Sequence, residues 1–310
     1  MATEYYSEPG SKFGLNYVLR VQAYSGNIVE ITYPLTCEFN VTRNNLASVN
    51  SASFTVYNLN EKTRLSLFRD SFDTTSFRTV EFYAGYANEG TRVMPLVFSG
   101  TIRQCYSERV GQDYKTVVDC YDGQQALGSG FISETTEKGL SIKQLVEKSV
   151  AALSNIKSAV VGAISGDSKR GLAAFGNPAD IVKSLTGNNL YIDNMNAYVL
   201  DTTEVLSGQD IILTSDSGII NIPKKTETSV SLSMLFEPRI KPSQLIEIRF
   251  SLNKIYNGVY KLTGFSHIGT ISGAVSSQVI TDLVLLSMTP GFFKVIPDDN
   301  QSSGMRIVRS

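Results

Sequence analysis

The chain has 310 residues, a formal net charge of -1 and a hydrophobic fraction of 42%. This length exceeds the size at which single cores usually stop growing, which favours two domains, and the near-neutral charge argues against a nucleic-acid-binding surface. The sequence has no run of about 18 apolar residues and therefore predicts no membrane-spanning helix. Residues 1–10 are polar, unlike a secretory signal, so we expect a soluble protein made in a cytoplasm.

The first part of the chain predicts β structure almost throughout. Apolar and polar residues alternate with a period of two, which places one face of each strand on a core. This pattern predicts strands at 17–23, 36–43, 52–57, 80–84, 98–102 and 116–120. Residues 60–64 predict a capped helical turn, which we expect Leu59, Leu65 and Phe68 to fix to the sheet. Short strands with one small helix indicate a barrel or a sandwich.

A different pattern begins near Phe131. Residues 141–144 have the form of a capping box, with Ser141 at the cap, and apolar residues at helical spacing predict an amphipathic helix over 141–154. Ile156, Val160, Val161 and Ile164 extend this helical pattern weakly. Residues 166–176 predict a loop. A second helix then starts at Asn177-Pro178 and ends at Gly187.

From Asn189 onward β patterns return. Residues 189–193 and 197–200 flank Asn194-Met195-Asn196, which indicates a hairpin. Further strands are predicted at 211–214, 218–222, 230–236, 245–252, 260–265 and 279–285, with a Gly-rich turn at 269–273. The tail from Pro290 is mostly polar beyond Phe292-Phe293, and this composition indicates an extended arm.

The two ends of the chain carry the same β pattern. The strands and turns of 80–120 recur in the same order and at similar spacing in 246–285, although few residues are identical. We therefore predict two β-barrel-like domains with the same core topology, superposable over these regions and built from separate sheets. A strand pattern used twice favours assembly over chemistry.

Candidate catalytic groups are few. The only histidine, His267, has no nucleophile or metal ligand beside it in the sequence, and no Gly-x-Ser-x-Gly elbow is present. We interpret His267 as a structural or surface residue, and His267→Ala should leave assembly intact apart from local packing. We expect no catalytic, cofactor-binding or metal-binding residues, no cofactor and no enzymatic activity.

Other polar groups also have ordinary explanations. Asp298-Asp299 lies in the polar tail and predicts a solvated charge pair, while Asp119 and Asp122 lack the further oxygen ligands of a calcium loop. Gly128-Ser129-Gly130 lacks the lysine and the strand-helix context of a phosphate site. The three cysteines, Cys37, Cys105 and Cys120, have neither metal-type spacing nor an even count, so we expect buried, inert thiols.

The chain has fifteen tyrosines and no tryptophan. Several could line a partner surface, where aromatic residues are favoured; equally, they could be outward strand positions of high β propensity. Both interpretations stay open for Tyr5, Tyr6, Tyr24, Tyr57, Tyr83 and Tyr86.

An ordered set of segments resembles one protein family. The set comprises Phe39-Asn40-Val41-Thr42-Arg43, residues 52–64, 80–86, 97–102 and 118–123, then 191–194, 236–242, 258–262 and 266–269. In this order they resemble baseplate hub proteins of tailed bacteriophages, and the resemblance spans about Leu19 to Leu286. No single motif is specific to the family; the ordered set carries the resemblance.

The resemblance implies a mainly β fold with a short helical insert and two tail-tube-like β-barrel domains per chain. It assigns 12–127 to the first domain, 128–188 to the helical connection, 189–289 to the second domain and 290–310 to a C-terminal arm. It also implies a homotrimer that forms a pseudo-sixfold ring between the tail tube and the central spike of a virion. Tape measure and baseplate wedge proteins are further possible partners, while DNA passes through the lumen without being bound.

Two alternatives stay open. The same hub could belong to a phage-tail-like bacteriocin or a secretion device. A carbohydrate-binding tail adhesin is a different class and would need clustered exposed aromatic residues, whereas the chain has no tryptophan. A peptidoglycan hydrolase would need a catalytic constellation that a chain with one histidine hardly offers.

Overall fold

The computed structural model describes residues 5–6, 12, 14–46, 48–70, 77–86, 93–136, 139, 141–166, 171–287, 293–298 and 305–306. The fold is mainly β with a few helices, as predicted. The first part of the chain contains β1 (Tyr5–Tyr6), β2 (Leu15–Gln22), β3 (Ile28–Thr32), β4 (Cys37–Asn44), β5 (Asn50–Tyr57), α1 (Glu61–Leu67), β6 (Thr79–Tyr86), β7 (Val93–Met94), β8 (Leu96–Val110) and β9 (Asp113–Asp122).

The middle and last parts alternate short helices with strands. The middle part contains α2 (Gln124–Gly128), β10 (Ile132–Thr136), α3 (Ile142–Ala151), β11 (Ser158–Val161), β12 (Leu172–Gly176), α4 (Pro178–Thr186), β13 (Leu190–Asp193) and β14 (Asn196–Val199). The last part contains β15 (Glu204–Thr214), β16 (Lys224–Lys225), β17 (Ser229–Leu235), β18 (Gln244–Arg249), a 3-10 turn (Lys254–Tyr256), β19 (Gly258–Ile271), β20 (Gln278–Ser287), β21 (Lys294–Ile296) and β22 (Met305–Arg306).

The first β unit curls around one core. Its strands pair in the order β4-β5-β9-β8-β6-β2-β3, and the inward residues of all seven strands form a single hydrophobic cluster. Four strand steps separate β4 from β6, which on a flat sheet would be about 19 Å. The rings of Phe39 on β4 and Phe82 on β6 nevertheless lie 4.8 Å apart between centroids, so the sheet must bend around these side chains.

The second β unit has its own core. β15, β18, β19, β20 and β17 pair in that order, and their inward residues form a separate hydrophobic cluster that includes Leu213, Leu232, Ile246, Leu262 and Leu285. The end strands β15 and β17 both contribute to this cluster. This sheet therefore also curves around its inward face.

One continuous sheet connects the two units. The second half of β19, from Gly264 to Ile271, pairs antiparallel with the whole of β4, from Asn44 back to Cys37. All these strands consequently belong to a single 15-stranded sheet. The expectation of separate sheets is wrong, because a period-2 pattern reports which face of a strand is buried and not which strand lies beside it.

The two β units nevertheless have the same order of strand pairing. β6, β8, β9 and β5 form an antiparallel series, and so do β18, β19, β20 and β17. A register shift interrupts β8 between Ile102 and Gln104, and a matching shift interrupts β19 between Leu262 and Gly264. The two units therefore share strand order and the place of a β-bulge, each with its own core.

The middle part of the chain packs as a helical layer. α2, α3 and α4 share a core with the β13–β14 hairpin, whose inward residues include Leu190, Ile192 and Val199. Asn177 caps α4 by accepting a hydrogen bond from the Ala179 N–H, and Gly187 ends that helix with φ of 67°. Both features follow the predicted cap and stop signals.

Three expectations for this layer are wrong. Residues 158–161 form β11, which pairs parallel with β14, and do not extend the preceding helix. Residues 172–176 form β12 against β10, where a loop was expected. Ser141 is the N-cap of α3, yet its side chain makes no capping hydrogen bond, so the capping box does not form. The β-branched residues Val160 and Val161 suit a strand when a partner strand lies nearby. Their partner, β14, is distant in the sequence.

Helix α1 is attached differently from the prediction. Asn60 caps it as expected by accepting a hydrogen bond from the Thr63 N–H. Leu59 is buried, but Leu65 and Phe68 are exposed, and Leu67 supplies the fully buried contact. The predicted role of Leu65 and Phe68 is therefore wrong.

Four expectations for the last part also change. Residues 218–222 make only an isolated bridge, Ile219 to Met234. β18 ends at Arg249, before the predicted Leu252, and β19 continues through the expected turn at 269–273 as far as Ile271. In the tail, β21 pairs with β15 and β22 with β7. Phe292, half of the expected anchor, lies outside the described residues.

Candidate functional site

A buried polar cluster lies where the first β unit, the helical layer and the second β unit meet. At its centre Arg43, the last inward residue of β4, makes a bidentate ion pair with Asp193 at the end of β13. Its Nε donates to Oδ1 at 2.7 Å and its Nη2 to Oδ2 at 2.6 Å. Both side chains are almost fully buried. Burial opposes the Arg43 charge, but the Asp193 carboxylate outweighs that effect and raises the pKa of Arg43.

The Arg43 guanidinium also contacts both β units. Its Nη1 donates to the Val97 carbonyl on β8 at 2.8 Å. Its planar group lies 5.0 Å from the centroid of the Phe265 ring on β19, a cation–π distance. One side chain therefore connects β4, β8, β13 and β19.

A second carboxylate fixes the turn of the β13–β14 hairpin. Asp122, at the end of β9, accepts hydrogen bonds from the backbone N–H groups of Asn194 at 2.5 Å and Met195 at 2.9 Å. These two turn residues have positive φ values of 52° and 64°, as a tight two-residue hairpin requires. Burial and, next, the Asp193 charge raise the pKa of Asp122 to about 7, against the opposing effect of these N–H groups and Arg43.

Two asparagines complete the contact. Asn50 on β5 donates from Nδ2 to the Ile192 carbonyl at 2.8 Å and accepts from the Asn44 N–H at 2.9 Å. Asn194 accepts from the Ser99 N–H on β8 at 2.8 Å. We call Arg43, Asp193, Asp122, Asn50 and Asn194 the joint cluster; their buried polar groups are paired with one another or with backbone groups across the contact.

His267 lies beside the joint cluster on β19 and is fully buried. Its Nδ1 is 2.9 Å from the Thr281 hydroxyl on β20, and its ring packs against Phe236 at 5.0 Å and Phe265 at 4.9 Å between centroids. Burial and then the Arg43 charge hold the pKa of His267 well below its ordinary value. His267 therefore packs inside the fold, and the surface alternative is wrong.

In the joint cluster, Asp193 is paired with the Arg43 guanidinium, and Asp122 accepts hydrogen bonds from two backbone N–H groups. Both carboxylates therefore hold separate segments of the chain together. A groove of about 230 Å³ on the outer face of β2, β3 and β6 is lined by Arg20, Ile28, Glu30, Thr79 and Glu81. Arg20 and Glu30 pair with each other there at 2.7 Å. Its charges are therefore engaged by neighbours.

The other candidate residues have ordinary structural surroundings. Asp119 accepts from Ser53 at 2.7 Å and from Gln104 at 2.6 Å, which separates its role from that of Asp122. The three cysteines are buried and free, as predicted. Within the described ranges, no group of His, Cys, Asp and Glu is placed to hold a metal ion.

One charged residue of the tail corrects an expectation. The Asp298 side chain is almost fully buried and pairs with Lys241 at 3.0 Å, so it is not a solvated charge. Its sequence neighbour Asp299 lies outside the described residues. The pairing partner is 57 positions away, and for that reason the local sequence gave no sign of it.

The six tyrosines differ in exposure and in hydrogen bonding. Tyr24 is 80% exposed, whereas Tyr83 is buried and donates to Glu81 at 3.0 Å. Tyr86 donates to the Phe236 carbonyl at 3.1 Å, and Tyr57 donates to Glu38 at 2.8 Å. The side chains of Tyr5 and Tyr6 are outside what the structure describes.

The joint cluster was not predicted from the sequence, although one signal was present. Arg43 continues the inward row of Cys37, Phe39 and Val41, and a charged residue in an inward position demands a buried partner. The identity of that partner, Asp193, could not be read from the sequence because 150 positions separate the two residues. Among the helices that the structure describes, none is long and apolar enough to cross a membrane.

A protein family and several solved structures are similar to this chain. A family model described as baseplate hub gp41 matches residues 18–267. Among curated proteins, none matches the sequence.

Several solved structures share the fold. A tail protein from Neisseria meningitidis MC58 has a TM-score of 0.56 at 11% identity, covering 91% of this chain and 98% of that one. The 43 kDa tail protein of prophage MuSo2 from Shewanella oneidensis has a TM-score of 0.55 at 9% identity, with 88% and 97% covered. The E. coli c3393 protein, a component of the type VI secretion system, has a TM-score of 0.54 at 8% identity, with 89% and 77% covered.

Proposed function

The chain belongs to the baseplate hub gp41 family, a family of phage baseplate or tail hubs, and from that premise we propose that it assembles as a homotrimer. Each subunit would contribute two β domains to a pseudo-sixfold ring. The ring would connect the tail tube above to the central spike below and form part of the channel for DNA ejection. Its location would be the tail baseplate of a virion assembled in a host cytoplasm.

The observation that carries this proposal is the repeated strand series. A ring between a sixfold tube and a threefold spike requires each of three chains to present two similar units. β6-β8-β9-β5 and β18-β19-β20-β17 have the same pairing order and the same bulge. The two series also contribute to separate hydrophobic clusters, the first of which includes Phe236, Ile271 and Val279 from the last part of the chain.

The joint cluster suits a protein that transmits force. A hub transmits force between tube, spike and baseplate, and rigid units transmit it better than hinged ones. Arg43 is hydrogen-bonded to Asp193 of the helical layer and to Val97 of the first β unit, both shielded from water, and it makes a cation–π contact with Phe265 of the second unit. We propose domains at 12–127 and 189–289, a connection at 128–188 and an arm at 290–310. The β13–β14 hairpin, which begins the 189–289 domain, packs on the helices.

The proposed partners follow from the same role. Tail tube and spike proteins would bind the two ends of the ring, and tape measure and wedge proteins are further candidates. A net charge of -1 suits a lumen through which DNA passes without being held. No enzymatic activity is part of this proposal.

A second candidate is the hub of a phage-tail-like bacteriocin or of a secretion device. The likeness to the E. coli type VI secretion component favours it at the level of fold. Both candidates predict the same trimer and differ in the contents of the lumen. Packaged DNA in particles that contain this chain would separate them.

Mass measurement of the purified chain tests the proposal. The full-length protein should have three times the mass of one chain, and electron microscopy should show a ring with a central channel on the order of tens of ångströms wide, enough for duplex DNA. Monomers or dimers without a channel, both alone and with spike and tube partners, would refute the trimeric hub.

A further inference from the structure

Within the described part of the chain, the two β units are joined strand to strand by β19 and β4, and that joint uses two particular edges. The half of β19 that lies beyond the bulge pairs with β4. In this ladder Val41 lies opposite His267 and Asn40 opposite Ile268. Because the units repeat, the first unit has an edge equivalent to β19, and the second has an edge equivalent to β4.

The matching bulges identify equivalent residues. Gln104 follows the bulge of β8 as Gly264 follows the bulge of β19, so Ser107 corresponds to His267. Ser107 lies opposite Thr116, and His267 lies opposite Thr281. Both pairs are hydrogen-bonded at 2.9 Å, which supports the alignment independently of the bulge.

The edge of β8 beyond its bulge remains open. Cys105 exchanges backbone hydrogen bonds with Arg69, but past that point the side of β8 that faces away from β9 meets no strand among the described residues. The alternation of the ladder directs the N–H and C=O groups of Ser107 and Arg109 toward this side. Residues 106–110 are all exposed, whereas the equivalent stretch of β19 is covered by β4.

The edge of β16 is open in the same way. Val41 of β4 pairs with Ala52 of β5, and Lys225 of β16 pairs with Val230 of β17. Since β5 corresponds to β17 through their shared partners, Lys225 corresponds to Val41. The Thr226 N–H bonds to the Ser229 carbonyl, so Lys225 directs its own backbone groups away from β17. Within the part of the chain that is described, no strand receives them.

We propose that the open edge of β8 in one chain pairs antiparallel with β16 of a second copy, in the register that β19 and β4 use within the chain. Transferring that register places Ser107 opposite Lys225, Glu108 opposite Lys224 and Val110 opposite Ile222. The inference rests on the proposed ring and specifies which residues close it.

The side chains at these positions complement one another. This agreement is independent of the register, which was transferred from backbone pairing alone. Glu108 would lie opposite Lys224, and the two side chains have opposite charges. Cross-strand pairs of this kind stabilise antiparallel ladders. Val110 is 47% exposed and Ile222 is 74% exposed, and each would cover the other. These two contacts lie on the same face, since Glu108 and Val110 are two positions apart.

One position limits the ladder. Pro223 would lie opposite Arg109, and a proline has no N–H to donate. The Arg109 N–H can still donate to the Pro223 carbonyl, and Ser107 and Lys225 can exchange two hydrogen bonds. A proline at this edge also discourages uncontrolled pairing of strands, so the joint would be short and selective.

The geometry of the assembly follows. A contact between two different edges is heterologous, and copies joined in this way form a closed ring when the rotation per copy permits it. The internal β19–β4 joint and the external β8–β16 joint would then alternate around the ring.

A disulfide test decides the register. Within the chain, the Asn45 N–H donates to the Thr263 carbonyl. Hydrogen-bonded and non-hydrogen-bonded pairs alternate along an antiparallel ladder, so Asn40 and Ile268 form a non-hydrogen-bonded pair. The transferred register makes Glu108 and Lys224 a pair of the same kind. Such a pair has Cα atoms about 4.5 Å apart, within the range of a disulfide. The variant Glu108→Cys/Lys224→Cys should therefore form intermolecular disulfides on mild oxidation, seen as dimers and trimers on non-reducing gels. The native cysteines are buried and should not contribute.

The matched control moves one cysteine to the neighbouring residue. In Glu108→Cys/Lys225→Cys the second side chain points to the opposite face of the sheet, so cross-linking should fall at least about tenfold. A charge test is complementary: Glu108→Lys should weaken self-association by roughly threefold to tenfold, and adding Lys224→Glu should restore most of it. Thermal unfolding of each variant checks that the fold is kept.

The outcomes separate this inference from the proposed function. If the wild-type chain forms a trimeric ring but both cysteine pairs cross-link equally or not at all, the register is wrong and the ring stands. A wild-type chain that stays monomeric at every concentration, alone and with its tail partners, would overturn the ring and this joint together.

Discussion

Two arginine–carboxylate pairs in this protein have similar chemistry but opposite surroundings. Arg43 and Asp193 meet at 2.6 Å with side chains 2% and 4% exposed, while Arg20 and Glu30 meet at 2.7 Å with side chains 33% and 48% exposed. Water can replace either partner of the surface pair, whereas nothing can replace a partner in the joint cluster. The distance is therefore a poor guide to the importance of an ion pair, and burial is the better one.

Removing the buried carboxylate should have the largest effect. Asp193→Ala leaves the Arg43 guanidinium buried without a counter-charge and should lower the free energy of unfolding by about 3–5 kcal/mol. Urea denaturation of the purified chain measures the change. The double variant Arg43→Met/Asp193→Leu removes both charges and should recover most of the loss, and a double variant as unstable as Asp193→Ala would contradict this explanation.

The next prediction concerns pH, because two buried groups near Arg43 act in opposite directions. The folded-state pKa of Asp122 is raised to about 7, so its contribution to stability is present below about pH 4 and is lost as the pH rises through 7. The pKa of His267 is lowered. Its contribution is therefore present above about pH 6.5 and is lost as the pH falls.

Single substitutions should expose each effect. Relative to the wild type, Asp122→Asn should gain stability steadily from pH 4 to pH 7, by an amount on the order of a few kcal/mol. His267→Gln should instead gain relative stability below pH 6.5. Unfolding free energies measured from pH 4 to pH 8 test both, and parallel curves for all three proteins would show that neither group is perturbed.

A smaller effect is expected from the neutral part of the joint cluster. Asn50→Ala leaves the Ile192 carbonyl and the Asn44 N–H without their partner, which should cost about 1–3 kcal/mol. Asn50→Asp is the informative companion, since it keeps the acceptor but loses the donor. A loss for Asn50→Ala as large as that for Asp193→Ala would mean that charge is not what distinguishes the cluster.

The smallest effect is expected at the surface pair. Glu30→Ala should change the free energy of unfolding by no more than about 1 kcal/mol, and the change should shrink as salt is added. The same salt series on Asp193→Ala should leave its loss nearly unchanged, because ions screen buried charges weakly. A salt-independent loss at Glu30 would remove the contrast between the two pairs.

Much of the secondary structure could be predicted from local patterns. Strict alternation in Cys37–Asn44 and Asn50–Tyr57 reappears as strict alternation of buried and open positions. The caps at Asn60 and Asn177 also form as expected. Predictions failed where a distant partner decided the outcome: residues 158–161 became a strand because β14 lies beside them.

The candidate site was less accessible to the same reasoning. His267 was interpreted as a structural or surface residue, and the structure buries its side chain completely. Arg43 was visible as a charged residue on an inward face, but its partner was not. Asp298 was misjudged for the same reason, since Lys241 is remote from it in the sequence.

The sequence alone determined the mainly β character, the repeated strand series and the buried thiols. Each of these depends on neighbours within a few residues, through side-chain alternation, turn chemistry or hydrophobicity. Only the tertiary structure decided that β19 continues past its bulge to pair with β4, and that Arg43 meets Asp193. Those contacts join segments more than a hundred residues apart, and local preference contains no information about which distant edge or charge will be the partner.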